Sequence, residues 1–301
     1  MTSGKSINRN LTLDLNGHSL TGNIGGGPLF TVDGEGAKLT LKGGNAQNRA
    51  HVAVAKNGGE IVVESGEYTS TNSDVFRAQP LGTVTVNGGT LTGSEGAVIC
   101  YGKGSKDGIS GCFGTIVING GNLTGLDNFA VATNGTAGMG HNSITINGGH
   151  LEGNIKSAGY EAIGVYLPNN DTFVMNGGEI IANGGTGICQ RGGNATINGG
   201  SITATNVDKN GNVVADGWIG DKKTVMTGCS AVIYHCVSGY SGYTEGMRLT
   251  VTDGTITGVD HAIQIVSDEE EPKVFVSGGT FTPAYPEPTP NEPAEEPGEN
   301  P

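Results

Sequence analysis

A short phrase of the form V-x-V-N-G-G-x-L-x-G returns along almost the whole chain, and such a repeat restricts the fold more than any local propensity does. It reads TVTVNGGTLTG at 83–93, TIVINGGNLTG at 115–125 and SITINGGHLEG at 143–153. Looser copies stand at 11–22, 39–45, 61–70, 172–184, 195–204, 249–258 and 274–283, which makes ten in all. Successive copies are never closer than roughly 22 residues, and the larger intervals are insertions. A near-constant minimum is what a solenoid requires, because each coil must land in register on its neighbour.

Within a copy, TVTV or SITI alternates apolar with Thr or Ser residues, the period-2 signature of a strand with one buried face. A second phrase lies between copies: AVIC at 97–100, AVAT at 130–133, AIGV at 162–165, AVIY at 231–234 and AIQI at 262–265. Each unit therefore holds three short strands. Asn-Gly at the turn would also suit an antiparallel meander, but the arm after it (TLTG, NLTG) carries one apolar side chain, too little to pair with the arm before it. A bend between consecutive strands of a coil needs no more. The expected fold is all-β, a single-stranded, right-handed parallel β-helix of about ten coils, rising roughly 48 Å at about 4.8 Å per coil. Leu13, Leu15, Val84, Val86, Ile116, Ile118, Ile144, Ile146, Ile197, Leu249 and Val251 are the expected inward residues.

Composition removes several alternatives. Fifty-five glycines in 301 residues exclude a mainly helical protein, since an interior Gly costs a helix about 1 kcal/mol, and no Gly-X-Y period supports collagen. No stretch approaches the roughly 20 apolar residues of a membrane span, and the opening MTSGKSINRN has no signal-peptide core. A net charge of −13 without basic stripes argues against nucleic acid and anionic membranes as partners. Five cysteines are too few for a disulfide scaffold, although Cys100 and Cys112 flank a Gly-rich loop that a disulfide could close.

The V-x-V-N-G-G-x-[L/I]-x-G phrase over residues 11–282 resembles the right-handed parallel β-helix of the pectate-lyase-like superfold, in particular surface or adhesin-type proteins of Gram-positive bacteria. The resemblance implies an extracellular, cell-surface location. Residues 1–10 read as a lead, 11–282 as the β-helix with an insertion at 204–228, and 283–301, rich in Pro and Glu, as a disordered linker. Little in the flanks would cap a solenoid, so further domains of the same protein are expected beside it.

Enzymes of the superfold carry carboxylates, often with Ca²⁺ and a basic residue, on outward positions of neighbouring coils. On the principal strand only Asp14 and Glu64 are acidic among those positions, with the full coil that contains Lys42 between them, and no Asp-Asp dipeptide occurs. No catalytic residues are expected there. The strand of the second phrase differs: Arg77, Tyr101, Asn134, Tyr166, Arg191, Tyr234 and His235 fall at its outward or terminal positions, and long turns follow it. Tyr rings stack on sugar faces, and Asn, Arg and His hydrogen-bond hydroxyls, unless the rings simply cover their own loops. The expected function is therefore non-catalytic binding of polysaccharide or host glycan, with Tyr101, Tyr166, Arg191, Trp218, Tyr234, His235 and Tyr240 as ligand-binding residues. A polysaccharide lyase or glycoside hydrolase is the alternative, and a structural stalk the second. No cofactor is expected; DKNGNVVADG suggests Ca²⁺ through Asp208, Asn210, Asn212 and Asp216 but lacks the glutamate and spacing of an EF-hand.

Overall fold

A computed structural model describes residues 1–155, 162–213, 230–238 and 246–283. Among them there is no helix, and the strands form three parallel sheets of ten strands each plus one two-stranded hairpin. The chain visits sheets A, B and C in turn and returns to A one layer further on, so the molecule is a parallel β-solenoid of ten coils. Coil 1 begins with the strand Lys5–Ile7 and coil 10 closes with Thr280–Thr282. Sheet B carries the principal strand of the repeat, such as Thr83–Val86, sheet C the short arm, such as Thr90–Gly93, and sheet A the second phrase, such as Gly96–Cys100.

Strict register turns the sequence alternation into columns. On sheet B, Ile61, Val84, Ile116, Ile144, Phe173, Ala195 and Leu249 are paired in succession, and all are buried. Phe173 next to Ala195 fills the layer with a large and a small side chain, as close packing of a narrow interior demands. Of the residues expected inward, all are buried except Leu13, which is partly exposed in coil 1 but packs against the core. Tyr68 and Phe76 meet inside at 5.5 Å between ring centroids.

The N-G-G signature has a separate reason at each position. The asparagines form a ladder in which Asn119 Nδ2 donates to Asn87 Oδ1 at 2.8 Å, Asn147 to Asn119 at 2.8 Å, Asn176 to Asn147 at 2.8 Å and Asn198 to Asn176 at 3.0 Å. Asn87 donates in turn to Glu64 Oε1 at 3.1 Å, and Thr252 donates to Asn198 at 3.0 Å. Every bond points the same way, towards the carboxylate. The first glycine has no room for a side chain, because a Cβ on Gly120 or Gly148 would lie 2.7 Å from the carbonyl oxygen of Asn87 or Asn119. The second adopts φ of 92° at Gly89, Gly121 and Gly149, a conformation that an L side chain strongly disfavours.

The closing glycine of the phrase marks the corner from sheet C to sheet A. A Cβ on Gly125 would meet the carbonyl oxygen of Phe129 at 1.9 Å, and one on Gly93 that of Gly96 at 1.7 Å. These tight corners stack four short turns, 49–52, 71–75, 94–95 and 126–128, directly above one another. The corner from A to B carries the long turns 101–114 and 134–142, the first with an antiparallel hairpin of Gly104–Lys106 and Ile109–Gly111, while the longest connection, 206–231, joins sheet C to sheet A.

Candidate functional site

The stacked turns at the C-to-A corner bring charged side chains together. Asp74 is 1% exposed. Its Oδ1 accepts from Arg77 Nη2 at 2.5 Å and its Oδ2 from Arg77 Nε at 3.2 Å, while His51 Nδ1 lies 3.0 Å from Oδ2. Nδ1 is also 3.1 Å from the Asp74 carbonyl oxygen; with two acceptors in front of it, this nitrogen carries the proton in the neutral ring, so Nε2 is then the ring's acceptor. Burial pushes the Asp74 carboxyl up, yet His51 and Arg77 outweigh it and leave the group below the ordinary carboxylate range. Arg77 in turn lies over the Tyr101 ring, 4.4 Å from its centroid.

One and two coils further on, a cavity of about 310 Å³ opens, lined by Glu95, Asp127, Asn128 and Phe129. That volume is at the small end of the range of about 300–1,000 Å³ for ligand sites. Partial burial, then Asp74, push the Glu95 carboxyl up, and Asp127 adds to the shift against the pull of Arg77 and His51. Phe129 lies across the start of the neighbouring strand, where a Cβ on Gly96 would meet its Cε2 at 2.1 Å. The missing side chain at Gly96 is the seat of the ring. Carboxylates, a backbone turn with an amide side chain and an aromatic ring thus converge from two adjacent coils.

The residues expected from the sequence are distributed differently. Tyr101 and Tyr166 are partly exposed, Tyr101 stacked under Arg77 and Tyr166 packed on Ile163, Cys189 and Ile233. Tyr234 is in the core: it pairs in register with Gln190 and Ile265, is fully buried, and its hydroxyl donates to the Met247 carbonyl at 2.8 Å. His235 is 1% and Arg191 2% exposed. The open row expected along this strand is therefore interrupted at Arg191, Tyr234 and His235. The cause is a shift of parity at the corner, where two successive residues, Ala231 and Val232, like Ala97 and Val98, both enter the core, so that Tyr234 points inward. Trp218 and Tyr240 lie outside the described residues. Arg77, expected at an outward position, belongs to the charged corner; His51, Asp74, Glu95 and Asp127 sit in turns, where strand alternation carries no signal for them.

At the A-to-B corner the long loops are tied from within. Buried Asp171 accepts from the Asn142 backbone N–H at 2.9 Å, from Asn142 Nδ2 at 2.8 Å and from the Thr133 hydroxyl at 2.5 Å. Burial pushes its carboxyl up despite these donors. Cys100 and Cys112 are buried free thiols rather than a disulfide; burial raises both, Cys112 to about 12, so neither is a ready nucleophile. In the suggested calcium loop, Asp208 already accepts from the Asn210 and Asn212 backbones at 2.8 and 2.9 Å, and Asp216 is not among the described residues. Among the described residues no group of three or more His, Cys, Asp or Glu side chains is arranged to hold a metal ion.

Comparison with protein-family models, with curated proteins and with solved structures returned no match.

Proposed function

We propose that this protein is an extracellular carbohydrate-binding β-solenoid, a bacterial surface or adhesin-type relative of the pectate-lyase-like superfold, and that its binding site is the cavity at the C-to-A corner. The observation that carries this reading is the convergence of Glu95, Asp127, Asn128 and the Phe129 ring on one cavity of about 310 Å³. Carboxylates and amides hold vicinal hydroxyls while a ring covers the apolar face of a sugar. One stacked ring contributes only about 1 kcal/mol, so a single site binds in the micromolar to millimolar range, and useful avidity comes from many copies on a surface.

A glycan array probed with the full chain tests the proposal. Hits that weaken at least tenfold in Asp127→Asn and Phe129→Ala, with unchanged melting temperature, support it; hits indifferent to both variants, or no hits, overturn it.

Hydrolysis is a second reading, favoured by Glu95 and Asp127 lining one cavity in unlike surroundings: burial, then Asp74, push the Glu95 carboxyl up, and glycoside hydrolysis uses a pair of unlike carboxyls. Release of reducing ends that disappears in Glu95→Gln would establish it; binding without turnover would leave the protein a lectin-like module.

A further inference from the structure

We infer that the outer face of sheet B is a self-association surface on which a second copy of this chain docks antiparallel; the inference stands apart from the carbohydrate reading. Each coil gives this face the two outward residues of its strand and the residue that follows the strand. From coil 4, with Thr83, Thr85 and Asn87, to coil 8, with Asn194, Thr196 and Asn198, none of these positions is charged, in a chain of net charge −13. The other two sheets differ. Over the same coils sheet C presents His150, Glu152 and Glu179, and on sheet A the outward Cys189 and Ile233 are buried. Among the described residues, sheet B is therefore the side on which two acidic copies meet without setting like charges against each other.

The face is complementary to itself. Asn and Thr side chains both donate and accept, so amide and hydroxyl pair with their own kind. Two copies share one rise of about 4.8 Å per coil, and a contact made at one coil repeats at the next. With a two-fold axis at Thr145 in coil 6, Thr85 faces Thr196 and Val117 faces Val174, because the column that contains them is paired in register throughout. Hydroxyl then meets hydroxyl and methyl meets methyl, while the asparagine ladder runs beside its own copy with opposite polarity.

The charges flanking the neutral coils select this direction. Antiparallel docking brings coil 3 onto coil 9 and sets Glu60 opposite Arg248. Lys38 then lies opposite Lys273, but it is already held by Glu60 at 3.4 Å. Parallel docking brings each coil onto itself with the strands reversed, which sets Glu60 against Glu64 and Lys38 against Lys42. From coil 3 to coil 9 the face measures roughly 35 by 14 Å. Two copies thus bury about 1,000 Å², the lower limit of a specific interface. The association is weak, with a Kd of about 0.1 to 1 mM, and gains from copies crowded on one surface.

Sedimentation equilibrium of the full chain from about 10 μM to about 1 mM, a range that reaches this affinity, tests the inference. A monomer–dimer equilibrium is expected. Thr145→Arg sets a charge against its own copy and should weaken the dimer at least tenfold with unchanged melting temperature. Thr124→Arg, the same change on the outward side of sheet C, should leave it within twofold. Glu60→Arg should also weaken the dimer, and adding Arg248→Glu should restore it. Monomer throughout the range overturns the inference, as does a dimer that Thr145→Arg leaves intact or that Thr124→Arg weakens equally. A dimer tightened by Glu60→Arg overturns the antiparallel docking. Binding of cellohexaose that Thr145→Arg abolishes, with no dimer formed, overturns the inference in favour of a flat polysaccharide face.

Discussion

Two buried aspartates respond to the same physics with opposite sign. Asp74 is held below its ordinary range by Arg77 and His51, so it contributes stability above about pH 4, the unfolded value, and loses it as pH falls through its folded value. Asp171 is raised by burial; what it contributes is present below the unfolded value and is lost as pH rises through the folded one. Asp74→Asn should therefore cost about 2 to 3 kcal/mol at neutral pH, with the deficit shrinking in acid. Asp171→Asn keeps the same shape and should be at least as stable as the parent at neutral pH, the two converging in acid. Urea midpoints between pH 3 and 8 check both; a neutral-pH deficit for Asp171→Asn, or none for Asp74→Asn, would contradict the assignments. In the asparagine ladder, Asn147→Ala removes two exposed bonds and should cost about 1 kcal/mol.

The corners are where the elements are decided. Gly125→Ala places a Cβ against the Phe129 carbonyl, which the backbone of a close-packed coil cannot yield to, and should cost more than about 2 kcal/mol. Gly26→Ala has nothing within 4 Å of the added Cβ and should be near neutral. Equal melting temperatures for the two would contradict the close-approach explanation of the repeat. The strands were legible in the sequence because their alternation and spacing report directly on burial and stacking: Val84, Ile116 and Ile144 fall where the pattern puts them. The site was not, for two physical reasons. His51, Asp74, Glu95 and Asp127 lie 20 to 30 or so residues apart and meet only through coil stacking. Tyr234 is inward because Ala231 and Val232 both turn into the core at the corner, a shift of parity that simple alternation along the strand does not carry.

Across the whole molecule, each coil is stabilised by its neighbours on two sides, so protection from exchange should be highest in the middle and fall towards coils 1 and 10. Leu11 at 37% and Val276 at 50% are exposed although they share inward columns with buried Leu39 and Val251, whereas Ile144 and Phe173 are each 1% exposed. The same stacking that makes the rod also builds the cavity, since no single turn contains it. Hydrogen exchange of the full chain, read by mass spectrometry with and without a saturating oligosaccharide selected on the glycan array, examines that placement most directly. Added protection is expected in residues 94–96 and 126–129, with little change at the A-to-B loops 101–114 and 134–142. Protection confined to those loops, or absent throughout, would contradict a carbohydrate site at the C-to-A corner.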